Sequence, residues 1–233
     1  MKTITFILQS KGGVGKSAFV YLLANKYNYV TEFVVVDMDN ETNTAVKQTQ
    51  FVKTLKHNLI DSKTKNIDRA AFDNFLEDFI NTDKITSAIC DCGATTSEQF
   101  LVFLQEAGTE ILKSVIEMNI NVQICCVVPG LNAFPASADY CRNLFKNIDI
   151  PEIKKYIVKN NYFEFSDEQN EALAKLAKVT NAKIQEFNIV PNNVPGTLKE
   201  VHALMEAGKS FDDAKTFTKI RVKQSIEEIT IRI

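Results

Sequence analysis

The stretch Gln9-Ser10-Lys11-Gly12-Gly13-Val14-Gly15-Lys16-Ser17 decides the reading of this chain. It follows the apolar run Ile4-Thr5-Phe6-Ile7-Leu8, which predicts a buried strand. It precedes Ala18-Phe19-Val20-Tyr21-Leu22-Leu23-Ala24, which predicts a helix. Strand, glycine-rich loop and helix make the setting that a phosphate-binding loop requires. Gly12, Gly13 and Gly15 let the backbone curl so that successive N–H groups point inward at an anion. The helix N-terminus adds its partial positive charge. Lys16 can reach the outer phosphates of a nucleotide, and the Ser17 hydroxyl can hold Mg²⁺. The contiguous set Gly12, Gly13, Val14, Gly15, Lys16, Ser17 and Ala18 is the expected cofactor-binding segment.

The strict Walker A pattern has a glycine where Ser10 stands. Lys11 gives the box its character. Lys-Gly-Gly-Val-Gly-Lys-Ser resembles the deviant Walker A box of the ParA/MinD family, which usually ends in Lys-Thr-Thr. In that family the early lysine crosses a dimer interface to the phosphates held by the partner subunit. The resemblance therefore implies a trans-acting Lys11 and a cis-acting Lys16. It also implies ATP and Mg²⁺ as cofactors and a homodimer that forms on ATP binding.

Composition sets the frame around this loop. The 233 residues suffice for one large α/β domain, so residues 1–233 are expected to form a single P-loop ATPase domain. Apolar residues make up 45% and charged residues 24%, the balance of a soluble globular protein. No apolar run is long enough to span a bilayer and no signal peptide is visible, so the expected compartment is the cytoplasm. A formal charge of −2 excludes whole-molecule electrostatic nucleic-acid binding; DNA contact would need a local patch. Cys90, Cys125 and Cys126 lie in apolar runs and read as core, and no cysteine pair has zinc-ligand spacing.

Strands alternating with helices predict an α/β fold: a mostly parallel, twisted sheet with helices on both faces, of the deviant Walker A P-loop type. Phe33-Val34-Val35-Val36 lacks alternation, as a central parallel strand should. Residues 51–67 read as an exposed connection, with a short edge strand near Leu59. Phe72, Phe75, Leu76, Phe79 and Ile80 share one face of a predicted helix. Ser87 to Gly93 predicts a short strand ending in an acid and a glycine, and Thr95-Thr96-Ser97-Glu98 a capping box opening a long helix to about Met118. Further strands are expected over Asn121 to Val128, Lys155 to Asn160 and Ile184 to Val190. Helices are expected from Pro135, after a second capping box at Ser166-Asp167-Glu168-Gln169, and through the remainder with a break at Gly208.

Two acidic segments complete the chemistry. Asp91, at a strand end, fits a Walker B carboxylate that holds Mg²⁺ directly or through water. ParA-like proteins usually carry Asp-x-Pro-Pro there; this chain has Asp91-Cys92-Gly93-Ala94, keeping the acid and losing both prolines. The Gly93 N–H remains a donor for the outer phosphate. Asp37-Met38-Asp39-Asn40-Glu41-Thr42-Asn43 resembles the family's Asp-x-Asp-Pro-Gln-x-Asn segment, with Asp37, Asp39 and Asn43 matching. The resemblance assigns Asp39 to orienting the attacking water and to the Mg²⁺ shell, with Ser17 and Asp91 as the other metal residues. Asp37 reads as a structural tether. Asn160, closing a late strand, and Pro191, after the next one, correspond to positions that flank adenine in similar proteins.

The function implied is a ParA-like ATPase that switches partner binding in segregation, positioning or conjugative mobilisation of DNA. Its partner would be a centromere-binding or transfer protein, with non-specific DNA as a further ligand. Lys215, Lys219, Arg221 and Lys223 form the basic stretch that would serve it. A MinD-like membrane-associated ATPase is an alternative, but Glu227 and Glu228 interrupt the face of Val222, Ile226, Ile229 and Ile233 and favour packing over a membrane. A metabolic ATP-dependent enzyme of the same superfamily is another. An electron carrier of the nitrogenase-reductase type would need exposed cysteines, for which only Cys92 is a candidate.

Overall fold

An apolar run with no polar face must be covered on both sides, and the computed structural model gives the first strand that place. It describes residues 1–39, 44–61, 63–64, 66–190 and 194–233. Among the described residues seven strands form one sheet: β1 (Lys2–Leu8), β2 (Phe33–Asp37), β3 (Thr54–Lys56), β4 (Ser87–Asp91), β5 (Ile120–Pro129), β6 (Lys154–Asn160) and β7 (Lys183–Phe187). Their order is β3-β2-β4-β1-β5-β6-β7, and every pairing is parallel. After β1 the chain crosses to β2 and β3, returns to β4 beside β1, then continues on β1's other side. That reversal opens a crevice at the carboxyl ends of β1 and β4, where ligands bind in such sheets.

Helices cover both faces: α1 (Lys16–Lys26), α2 (Thr44–Gln48), α3 (Arg69–Asn81), α4 (Ala94–Phe103), α5 (Thr109–Glu117), α6 (Phe134–Lys146), α7 (Asp167–Thr180), α8 (Pro195–Glu206) and α9 (Thr216–Glu227). The strands divide their side chains by period two. Ile4, Phe6 and Leu8 join Val34, Val36 and Cys90 under α3 to α7. Ile7, Val35, Ile89 and Val127 join α1, α2, α8 and α9. The first layer is anchored by Phe6, Phe72, Phe100 and Phe103, with centroids 5.2 Å apart for Phe6 and Phe100 and 4.9 Å for Phe72 and Phe103. The apolar stripe of α3 is buried at Phe72, Phe75, Leu76 and Phe79 as its periodicity requires, and Ile80 packs partly buried against them.

Several boundaries differ from the sequence expectation. The edge strand is Thr54–Lys56, and Leu59 is buried beyond it. Thr95 to Glu98 do not cap a helix, because α4 already begins at Ala94 with Gly93 at its N-cap and no side-chain cap bond. Their hydroxyls serve tertiary contacts instead: Thr96 Oγ1 donates to Met38 O, and Ser97 Oγ accepts from Gln9 N–H. The long helix is interrupted by a π turn over Leu104–Gly108. A Cβ on Gly108 would strike the Phe103 ring, so this glycine lets the ring lie against the backbone. At Ser166 the expected capping box is present in both halves. Strand β7 ends at Phe187 rather than Val190. Helix α9 ends at Glu227, so Val222, Ile226, Ile229 and Ile233 are not one helical face; Ile229 and Ile231 are buried in the extended tail that follows. All five cysteines are buried, Cys92 included, which removes it as an exposed cluster ligand.

Candidate functional site

The loop after β1 is shaped by two left-handed glycines, Gly13 at φ 73° and Gly15 at φ 100°, a region that other residues enter only with strain. Gly15 is also required for space. A Cβ there would lie 2.4 Å from Asn160 Nδ2. Gln9 anchors the start of the loop: its buried amide Nε2 donates to Val127 O at 2.9 Å and Ser137 O at 3.2 Å. Lys16 is buried at the base. Its Nζ donates to Gln9 O at 2.9 Å and Lys11 O at 3.3 Å, so the loop itself holds the ammonium. Burial lowers the Lys16 pKa, and the charge of Asp91 works against that shift.

Ser17 and Asp91 meet across the crevice: Ser17 Oγ donates to Asp91 Oδ2 at 2.7 Å. Asp91 is 1% exposed. Burial pushes its carboxyl up to about 7, against the Ser17 hydrogen bond and the Lys16 charge, which lower it. Asp37 is a tether: Oδ1 accepts from Asp39 N–H at 2.9 Å and Oδ2 from Val46 N–H at 3.0 Å. These two bonds fix the exit from β2 and stand Asp39 beside Gly93.

The result is a cleft of about 390 Å³ lined by Gly12, Gly13, Val14, Gly15, Lys16, Ser17, Ala18, Asp39, Asp91 and Gly93. These residues were expected there from the sequence. Thr44, Gln48, Ala94 and Met205 also line it and carry no motif that would have announced them. Met205 arrives from α8, almost two hundred residues away in the chain. Lys11 is exposed and does not line the cleft. Asn160 lies behind the loop, 3% exposed, with Nδ2 donating to Val14 O at 2.9 Å and Oδ1 accepting from Tyr162 N–H at 3.1 Å. In this arrangement its amide braces the loop. Asn40, Glu41, Asn43 and Pro191 lie outside the described residues. A groove of equal volume opens between α3 and β3 over Val34, Val36, Phe75 and Phe79; Lys56, Asp78 and Thr82 also line it, but no glycine-rich loop does.

No family model and no curated protein sequence matches the chain. Solved structures do. The chain is similar to the MinD cell division protein of Aquifex aeolicus at TM-score 0.57 and 12% identity, over 98% of this chain and 94% of that one. It is similar to a ParA family ATPase from Chlorobium tepidum TLS at TM-score 0.55 and 12% identity, over 97% and 96% of the two chains. This chain has the ParA/MinD fold. A nucleotide-binding protein in complex with ADP from Archaeoglobus fulgidus is similar at TM-score 0.51 and 14% identity, over 94% and 91%. At these identities the likeness concerns the ParA/MinD fold alone, and the chemistry must be argued from the cleft.

The cleft suits a nucleotide with Mg²⁺. Nothing lies within 4 Å of a Cβ built at Gly12 or Gly13, so phosphates can approach bare backbone N–H groups. A buried lysine, a hydroxyl and two carboxylates give anion and hard-cation donors side by side.

Proposed function

We propose that this chain is a single-domain ATPase of the ParA/MinD type, a cytoplasmic nucleotide switch that dimerises on ATP and hydrolyses it slowly. The observation that carries the reading is the convergence of Lys16, the Ser17–Asp91 pair and Asp39 on one cleft at the sheet's reversal point. The amides of Gly12 to Ala18 and the Lys16 ammonium would hold the phosphates. Ser17, Asp91 and Asp39 would hold Mg²⁺, which when bound neutralises phosphate charge. Asp39, fixed at its base by Asp37, would orient the attacking water. Gly93 N–H would donate to the outer phosphate. Loss of that phosphate would release the contacts around Asp39 and Gly93, and with them the affinity for a partner.

Lys11 gives the test. Its exposure outside its own cleft suits a lysine that serves the partner subunit's nucleotide. Lys11→Ala is expected to bind ATP like wild type and to lose both ATP-dependent dimerisation and turnover. Size-exclusion chromatography with ATP and Mg²⁺ checks this; a variant that dimerises like wild type overturns the trans role.

The cargo reading is DNA segregation, positioning or mobilisation through a centromere-binding or transfer protein. Among the described residues no helix is long and apolar enough to cross a membrane. Lys219 and Lys223 are exposed on α9 and Lys215 at its N-cap, while Arg221 is held by Thr197 and Lys223 pairs with Glu227 at 3.6 Å. Direct DNA binding through this row would appear only in the ATP-loaded dimer, which doubles the phosphate contacts, and would fall steeply with salt. A DNA titration at two salt concentrations, on wild type and Lys219→Glu/Lys223→Glu, checks it. No binding by ATP-loaded wild type at low salt would leave a protein as the cargo adaptor.

A further inference from the structure

The backbone at Gly93 does not call for glycine. Its φ of −57° and ψ of 172° lie where every residue, proline included, is comfortable. Space excludes a side chain instead. A Cβ on Gly93 would stand 2.5 Å from Asp39 Oδ1, 2.8 Å from its Cγ and 3.2 Å from its Cα. The first two distances are far inside the ~3.5–4.0 Å of ordinary carbon contacts. The third involves backbone, so turning the Asp39 side chain away does not clear the whole collision.

Nor can the Asp39 backbone easily withdraw. Its N–H is tied to Asp37 Oδ1 at 2.9 Å. The preceding residue, Met38, is fully buried, donates its N–H to Asp91 O at 2.9 Å and accepts from Thr96 Oγ1 at 2.7 Å. Three ties on two residues therefore deliver Asp39 to one place, and that place is free only because position 93 has no side chain.

Taking the cleft as the nucleotide site proposed above, we infer that Gly93 is a positioning residue for Asp39. The bare backbone at 93 sets where the Asp39 carboxylate stands, and through it the turnover rate. This gives the departure from Asp-x-Pro-Pro a physical meaning. A proline at 93 would fit the backbone angles, but its ring would meet Asp39, so Gly93 and Asp39 form a matched pair.

Gly93→Ala isolates the effect, because it adds one methyl and keeps the N–H. The test compares wild type, Gly93→Ala, Asp39→Ala and the double variant in ATP titrations, steady-state turnover and nucleotide-free thermal melts. Gly93→Ala is expected to lower kcat, read at saturating ATP, about tenfold to a hundredfold, the penalty of an ångström-scale misplacement. In the Asp39→Ala background it should lower kcat no further. Its Tm loss should likewise be larger with the Asp39 side chain than without it, the remainder being the 3.2 Å approach to the Asp39 Cα. Wild-type kcat in Gly93→Ala, or an equal kcat loss in both backgrounds, overturns the inference. If wild type neither binds nor hydrolyses ATP, the nucleotide reading fails on its own. The melts then decide the pairing: a Tm loss clearly larger in the protein carrying the Asp39 side chain upholds it, and an equal loss in both backgrounds overturns it.

Discussion

Lys16→Ala is expected to lose ATP binding and to keep its fold. The ammonium is held by two backbone carbonyls at the floor of the cleft, where the phosphates of a nucleotide would lie. Hydrogen bonds to charged groups contribute about 1.5–3 kcal/mol each, so the loss of two such bonds from the ammonium to phosphate oxygens would weaken binding by roughly a hundredfold to ten-thousandfold. The fold should survive, since burial already disfavours the charged amine and its two acceptors belong to a loop with exposed residues at Lys11 and Gly12. Isothermal titration with ATP, beside a thermal melt, reads both halves. Wild-type affinity in a folded variant would remove the nucleotide assignment.

What could be read from the sequence was what the chain keeps local. The glycine-rich loop is contiguous, and its strand and helix adjoin it, so the sequence already placed Gly12 to Ala18 together, as the cleft does. Asp91 was legible because its strand is a short apolar run ending in an acid. The Ser166 capping box needs only four residues and formed as read. The misreadings concern groups whose partners are distant. Thr96 and Ser97 look like a cap by spacing, yet Met38 and Gln9 claim their hydroxyls. Met205 and Gln48 reach the cleft only because α8 and α2 pack beside α1. The tail after Glu227 has helical spacing of isoleucines, but Gln185 and Gln123 take its backbone as an extended segment: Gln185 Oε1 accepts from Thr230 N–H and Gln123 Nε2 donates to Arg232 O.

Asp91→Asn is expected to stabilise the nucleotide-free protein at neutral and alkaline pH while removing a carboxylate proposed to hold Mg²⁺. Burial holds this acid near 7 in the fold, against an ordinary value of 3.8. Between those two values the folded chain keeps a proton that the unfolded chain has released, so wild-type stability falls as pH rises. Below about pH 4 both states are protonated and the cost is absent; above 7 it is complete. Integrated over that window, the penalty is on the order of 4 kcal/mol. Asparagine has no charge to desolvate and keeps an oxygen to accept the Ser17 hydroxyl. Against this, Lys16 loses the first of the charges that favour its ammonium, which takes back part of the gain. A net advantage of about 2 kcal/mol would raise the melting temperature by roughly 4–8 °C in a chain of this size. The sign of the pH dependence is the stronger test, because a packing effect would be flat. Melts of both proteins from pH 4 to 9, without nucleotide or Mg²⁺, should show curves that coincide at the acid end and part as pH rises towards 7. A constant offset across the range would mean that Asp91 is not held as a costly buried acid. The same variant should show no Mg²⁺-dependent turnover, so a residue that weakens the resting fold is one that the proposed chemistry cannot lose.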